Sequence, residues 1–341
     1  MRPLDVWMYP SSMESSPSLE TCSSVGTRLG NVLASIHCDA TLLLKSQTLT
    51  DDGKAWCENP AAKDFIRDQI VKKVLPILQP WVDPGQGRAE KIAGIISQDF
   101  DLGFLETLHP SSSPSPGVPQ LMFSMGDLWT GSIIVGVSPT ISRFNPRFDA
   151  TKVEIGLVDW EFASPARIGQ DIAQLSAGLY LFSTASAWSS TKPRFRSAGG
   201  VKPATGKPLG WRSAAGTFMD ALLEAYGRKV KEHPDYVWFI DEEHNQRRFK
   251  KERLAVIRSI WILFGMEVVN NSVQAVDKFV GFFTMDVGRG GGEEIKMWQK
   301  EMIEVGCWYV LVAGESSGDE FEEVVRRECV LGRMYTVSGS L

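Results

Sequence analysis

The chain has 341 residues, of which 43% are hydrophobic and 23% charged, and its formal net charge is −5. This length allows one large domain or two modest ones with a sizeable buried core. The acidic balance, without a long basic block, argues against a nucleic-acid partner. No apolar run reaches transmembrane length and no signal-peptide core is visible at the start. We therefore expect a cytoplasmic protein without a membrane partner, and the sequence leaves its oligomeric state open.

The chain opens with a serine- and proline-rich segment that has little apolar periodicity, and residues 1–27 are predicted to form a linker. Apolar residues then recur every three or four positions, as in amphipathic helices. The pair Asn59-Pro60 marks one helix start, because asparagine is a common N-cap and proline fits the first helical position. The predicted helices in this part of the chain cover residues 28–37, 60–79 and 87–96.

Two short apolar segments in the middle of the chain are predicted to be strands, over residues 132–137 and 152–158. The second segment alternates apolar with polar or small residues, which is typical of a half-buried strand. Loops rich in proline precede the first strand and join it to the second. If the two strands are neighbours, three carboxylates gather at one end of the pair. These acids are Asp127, Asp159 and Glu161.

Beyond these acids the chain is predicted to be mainly helical, with an exposed excursion rich in serine, glycine and proline over residues 184–210. Residues 311–341 are predicted to be a polar, frayed tail. The predicted fold class is therefore α+β and mainly helical, with a single large lobe over residues 28–310 that contains a small strand pair. The predicted helices of this part cover residues 171–182, 217–231, 246–269, 270–283 and 293–310.

The acids match the chemistry of phosphoryl transfer. That reaction needs a carboxylate near the attacking hydroxyl and hard oxygen ligands for Mg²⁺. Asp127 would orient the acceptor hydroxyl, and Ser132, Asp159 and Glu161 would hold the metal. Each also has a structural interpretation: Asp127 as a turn cap, Ser132 as a strand start, and the other two as solvated strand ends.

The motif residues resemble the aminoglycoside phosphotransferase and choline kinase superfamily, which is protein-kinase-like. The resemblance rests on Met125-Gly-Asp-Leu-Trp-Thr-Gly-Ser132, on Leu157-Val-Asp-Trp-Glu-Phe-Ala163 and on Asp171-Ile-Ala173. The Thr-Gly-Ser ending and the paired acids at 159 and 161 are similar to methylthioribose kinases in particular. Met125 replaces the family histidine, and Ser132 replaces the usual metal-binding asparagine.

The resemblance implies a large lobe of a protein-kinase-like fold that uses ATP and Mg²⁺ to phosphorylate a hydroxyl of a small molecule. It gives Asp127 the catalytic role, Asp159 a magnesium role and Asp171 a role in bracing the catalytic loop, although an N-cap aspartate also explains Asp171. Arg258 lies in a run that resembles the substrate-arginine helix of methylthioribose kinases.

No lysine before Asp127 lies in a strand-like context, so we expect the family's small N-terminal lobe to be missing. This absence leaves a second interpretation open, in which the chain is a truncated or degenerate relative. Such a protein would bind a ligand without turning over ATP. The acceptor itself is not readable from the sequence, because many hydroxyl compounds share the same catalytic residues.

Overall fold

The structure is mainly helical, and small antiparallel sheets carry the acid-rich motif. The computed structural model describes residues 1–9, 16–45, 59–82, 87–108, 121–137, 153–167, 169–190, 213–233, 246–283, 291–328 and 330–335. The strands are β1 (Arg2–Pro3), β2 (Leu121–Ser124), β3 (Ile133–Val137), β4 (Val153–Leu157) and β5 (Ser164–Arg167). The helices are α1 (Leu4–Met8), α2 (Leu19–Lys45), α3 (Pro60–Gln69), α4 (Val74–Leu78), α5 (Arg88–Leu108), α6 (Gln170–Ser190), α7 (Ala214–Lys231), α8 (Gln246–Gln274), α9 (Asp277–Val280), α10 (Gly291–Glu315), α11 (Gly318–Arg327) and α12 (Gly332–Tyr335). Short 3-10 turns cover Val71–Lys73, Thr130–Ser132 and Trp160–Phe162.

The predicted strand pair is confirmed. Strands β3 and β4 are antiparallel neighbours, with Ile133 opposite Leu157 and Val137 opposite Val153. The start of β3 therefore lies beside the end of β4, and the turns that carry the acids leave the same end of the sheet. Strand β1 pairs with the other edge of β3, and β2 pairs with β5 in a separate two-stranded sheet.

The helices form the core on which the sheets rest. Helix α2 packs along α7, and α8 packs against both α6 and α10. The crossing of α8 and α10 is close because Gly265 and Gly306 face each other, and a Cβ at either position would overlap the backbone oxygen of the other. Trp261 is fully buried next to this crossing, and Trp298 is fully buried farther along α10 against Phe279 and Phe283. The small residues thus set the helix spacing, and the large aromatic residues fill the space beside it.

The predicted linker over residues 1–27 is wrong for its described part. Residues 2–8 form β1 and α1, and helix α2 begins at Leu19. Leu4 and Met8 are fully buried in the core. The serine-rich composition of the segment is typical of a linker, but its few apolar side chains are buried by tertiary packing, which composition does not reveal.

The predicted polar tail over residues 311–341 is also wrong in its described part. Helix α10 continues to Glu315, and α11 and α12 follow it. Phe321, Leu331 and Met334 are fully buried. The helical core therefore extends beyond residue 310. Helix α6 likewise runs to Ser190 and takes in the first residues of the predicted excursion, whereas residues 191–212 lie outside the described part of the chain.

Contrary to the expectation that no apolar run reaches transmembrane length, one helix segment among the described residues, Leu254–Gln274, is long and apolar enough to cross a membrane by length and composition alone. Its most apolar stretch of 18 residues is 72% buried inside the structure. This degree of burial is typical of the central helix of a folded core. The segment packs between α6 and α10.

Candidate functional site

A tight turn at Gly126 carries the candidate catalytic loop from β2 toward β3. Gly126 has a φ of +83°, a backbone conformation that glycine adopts without strain. A Cβ at this position would also overlap the backbone of Phe162 in the turn after β4. The absence of a side chain therefore lets the loop of Asp127 lie directly against the loop of Asp159 and Glu161.

The buried carboxylate of Asp171 holds this turn. Its Oδ1 accepts hydrogen bonds from Ser124 Oγ at 2.6 Å and from the Gly126 N–H at 3.0 Å. Its Oδ2 accepts from the Met125 N–H at 2.7 Å and from His37 Nε2 at 2.9 Å. Four donors thus converge on one carboxylate that has almost no contact with water.

The hydrogen bonds decide the protonation of Asp171. Burial opposes its ionisation, but the hydrogen bonds and charge of His37, together with those from Ser124 and Met125, outweigh burial and lower the pKa of Asp171 below its ordinary value. Helix α6 begins at Gln170, so Asp171 lies in the first turn of that helix. Its side chain reaches back to the loop, so the alternative interpretation as an N-cap is wrong.

Asp127 is partly buried beside the start of α6, where Gln174 fixes its orientation. Gln174 Nε2 donates to Asp127 Oδ1 at 2.8 Å, and the Gln174 side-chain oxygen accepts from the Leu128 N–H. Burial raises the pKa of Asp127, the hydrogen bond from Gln174 lowers it, and the charges of Asp159 and Glu161 raise it again. The three acids therefore lie close enough to interact electrostatically, as the strand pairing predicts.

Asp159 and Glu161 lie on an exposed turn with an unusual backbone. Asp159 has a φ of +65°, and the only other described non-glycine residue with positive φ is Asn59. Asn59 caps α3, as predicted, and its Nδ2 also donates to the carbonyl oxygens of Glu161 at 2.8 Å and Ala163 at 3.2 Å. Strained backbone that the surrounding structure holds in place is frequent at functional sites.

Ser132 has a different environment from the two exposed acids. Its side chain is fully buried, its Oγ donates to the Asp127 carbonyl oxygen at 2.9 Å, and the same Oγ accepts from the Trp129 N–H. It lies in the 3-10 turn before β3 and not in the strand. The Ser132 hydroxyl therefore closes the candidate catalytic loop on itself, and this contact leaves Asp159 and Glu161 as the exposed oxygen donors of the predicted metal set.

These donors fit a magnesium ion that is shared with a phosphate ligand. Among the residues that the structure describes, no three acidic, histidine or cysteine side chains form a self-sufficient metal site. Mg²⁺ usually takes one or two carboxylates from the protein and completes its shell with substrate phosphates and water. Two exposed carboxylates beside Asp127 match that chemistry.

Arg258 lies elsewhere in the fold. Its guanidinium donates to the backbone oxygens of Ala313, Ser316 and Ser317 at the carboxyl end of α10, and it lies 4.3 Å from the Phe321 ring centroid. Arginine at a helix carboxyl end satisfies carbonyl groups that lack partners. The predicted substrate arginine is thus engaged in joining α8 to α10 and α11.

A cleft of about 230 Å³ opens beside Asp127. Its charged and amide side chains are Asp127, Gln174, Asn271 and Lys278, and aromatic side chains form much of the rest. The remaining lining residues are Trp129, Thr130, Gly178, Phe182, Ala275 and Phe279. The cleft is somewhat smaller than the roughly 300–1,000 Å³ common for ligand pockets. A small molecule in this cleft would contact the Asp127 carboxylate.

Several residues around the loop were not predicted as functional. They include His37 on α2 and Gln174, which lies one turn beyond Asp171 on α6. That i, i+3 spacing is the sequence signal that could have identified Gln174, because such residues share a helix face. Asn271 and Lys278 offered no comparable local signal.

The sequence was compared with models of known protein families and with characterised proteins, and neither comparison gives a match. The resemblance to phosphotransferases therefore rests on the motif residues alone.

Proposed function

We propose that this chain is an ATP- and Mg²⁺-dependent phosphotransferase that acts on a hydroxyl group of a small molecule. The observation that carries the proposal is the pairing of β3 with β4, which brings the loop of Asp127 against the turn of Asp159 and Glu161. A cleft of small-molecule size opens on the same carboxylate. In this proposal the helical body corresponds to the large lobe of a protein-kinase-like fold.

Asp127 is the residue that receives the acceptor. Gln174 occupies its Oδ1, so Oδ2 remains for the acceptor hydroxyl. The raised pKa of Asp127 makes it a better proton acceptor than an ordinary aspartate once it is ionised. Asp171 and His37 keep the loop in place from beneath, so the carboxylate needs little rearrangement when the acceptor arrives.

Asp159 and Glu161 are the residues that would hold Mg²⁺ between the protein and the nucleotide phosphates. When bound, the metal supplies charge neutralisation for the phosphoryl group in transfer. The chain contributes the geometry of its own turn, which Asn59 fixes through the Glu161 and Ala163 carbonyl oxygens.

A second candidate function is ligand binding without turnover. The observation that favours it is the buried hydroxyl of Ser132, which is bonded to the catalytic loop at the position where the family usually has a metal-binding asparagine. Under this alternative the cleft binds a small molecule, but the phosphates of ATP are not held productively.

Nucleotide binding separates the two candidates. A phosphotransferase should show a rise in melting temperature with ATP only when Mg²⁺ is present, because ligands of the folded state stabilise it by mass action. Asp159→Asn should abolish this rise. The matched control is Glu154→Gln, which removes an exposed carboxylate from β4, opposite Gly136 and away from the acid-bearing end. Its response should equal that of the unchanged chain.

Either of two results would reject the phosphotransferase proposal. One is the absence of any Mg²⁺-dependent response to ATP in the unchanged chain, which would favour ligand binding without turnover. The other is an undiminished response in Asp159→Asn, which would remove the metal assignment on which the proposal depends.

A further inference from the structure

The cleft beside Asp127 contains one cationic side chain, Lys278, among its lining residues. Lys278 lies on the short helix α9, and its Nζ is 3.4 Å from the centroid of the Trp129 ring. Within the described part of the chain, no carboxylate forms an ion pair with this ammonium. Asp5 and Asp127 act on it only as more distant charges. The ammonium therefore rests on an aromatic face, and its charge is available to a ligand.

The position of the Trp129 ring is set by the catalytic loop itself. Trp129 precedes the 3-10 turn Thr130–Ser132, and its ring lies over Gly131, where a Cβ would overlap the ring atoms. The ring thus lies against the backbone of the loop at Gly131, and Lys278 Nζ lies over the ring. This packing places a cation and the Asp127 carboxylate in one small cleft without joining them in an ion pair.

Asn271 adds an oriented acceptor to the same cleft. Its Nδ2 donates to the Glu267 carbonyl oxygen at 3.0 Å and to Glu267 Oε2 at 2.8 Å. The backbone carbonyl oxygen of Glu267 can only accept, so the amide nitrogen of Asn271 must face Glu267. Its side-chain carbonyl oxygen is therefore the atom that Asn271 can offer to a ligand hydroxyl.

We infer that the acceptor is a small hydroxyl compound that carries an anionic group, a carboxylate or a phosphate, which Lys278 binds while Asp127 takes the hydroxyl. This inference rests on the proposed function and names its substrate class. Asn271 would accept a hydrogen bond from a second hydroxyl, and Trp129 and Phe279 would contact the carbon skeleton.

The reaction balances with ATP as the phosphoryl donor. The acceptor hydroxyl gives its proton to Asp127, and its oxygen forms a bond with the γ-phosphorus of ATP. The bond between that phosphorus and the β,γ-bridging oxygen breaks, and ADP leaves with the electron pair. Asp127 then releases the proton to water. No oxidant or further co-reactant is needed.

A cationic acceptor is disfavoured by the same geometry. Aromatic clefts commonly bind ammonium ligands through their ring faces. Here the face of Trp129 already holds the ammonium of Lys278, so a ligand cation would meet a like charge at that position. An anion would meet an opposite charge, so Lys278 favours an anionic acceptor over a cationic one.

Calorimetric titration with four related compounds tests the inference: glycerate, glycerol 3-phosphate, glycerol and choline. Glycerate, glycerol 3-phosphate or both should bind, and glycerol and choline should bind at least about tenfold more weakly. The tighter of the two anions identifies the carboxylate or the phosphate as the preferred group. Lys278→Gln should weaken binding of that anion about tenfold, and Lys278→Arg should retain most of it.

The matched control is Lys296→Gln, which removes the same charge from an exposed position on α10. It should bind the anions as the unchanged chain does. The inference is overturned if neither anion binds, if choline or glycerol binds as tightly as the anions, or if Lys278→Gln binds them undiminished. These outcomes are independent of the response to ATP and Mg²⁺, so the inference and the proposed function fail separately.

Discussion

Glu267 lies beneath the cleft and is the clearest place to test the electrostatics of the site. Only 8% of the residue is exposed. The pKa of its carboxyl is raised from 4.5 to about 7, because burial and, to a smaller extent, the charge of Asp127 raise it by more than the hydrogen bond from Asn271 lowers it. The folded chain therefore binds this proton more tightly than the unfolded chain does, and Glu267 destabilises the fold when it is ionised.

The size and sign of the effect follow from this shift. One pKa unit corresponds to about 1.4 kcal/mol, so a rise from 4.5 to about 7 costs the folded state about 3 kcal/mol at high pH. The favourable contribution of the protonated group is complete below pH 4.5 and is lost as the pH rises through about 7. Glu267→Gln keeps the shape and an oxygen acceptor for Asn271 but carries no charge.

Urea denaturation at several pH values measures the effect. Between about pH 5.5 and about pH 8.5, the variant should gain about 2 kcal/mol of unfolding free energy relative to the unchanged chain. Glu293→Gln is the control, because Glu293 is an exposed glutamate at the start of α10. A difference that stays constant with pH, or one that favours the unchanged chain at high pH, would refute the assignment of Glu267 as a buried neutral acid near Asp127.

Two further predictions concern the frame of the site. Gly126→Ala combines a positive φ with overlap against the Phe162 backbone, so it should lower the unfolding free energy by more than about 2 kcal/mol. Gly94→Ala on α5 is the control in calorimetric melts, because no atom lies near the added Cβ. This variant should leave the unfolding free energy unchanged or raise it. Equal losses of unfolding free energy in the two variants would contradict the role of Gly126. Arg258→Met should cost about 1–2 kcal/mol in denaturation through lost contacts with α10 and leave ATP binding unchanged. A loss of ligand binding without a loss of stability would instead restore Arg258 as a substrate residue.

Short-range patterns in the sequence were sufficient for the strand pair and its acids. Alternation predicted β4, and a short apolar segment predicted β3. Asn59 was likewise recognisable as a cap from the proline that follows it. These features depend on residues that are adjacent or nearly adjacent in the chain, so no knowledge of the tertiary structure was needed to predict them.

The sequence alone determined which acids could meet, because a strand pair with acids at matching ends leaves little freedom. The tertiary structure alone decided what surrounds them. Packing of α8 and α9 against α6 places Asn271 and Lys278 beside Asp127, although they are distant along the chain. Tertiary packing also brings His37 of α2 into hydrogen-bond contact with Asp171. In the loop itself, Ser132 Oγ donates to the Asp127 carbonyl oxygen. Such contacts arise from long-range packing of buried surfaces, which no local pattern of residue types encodes.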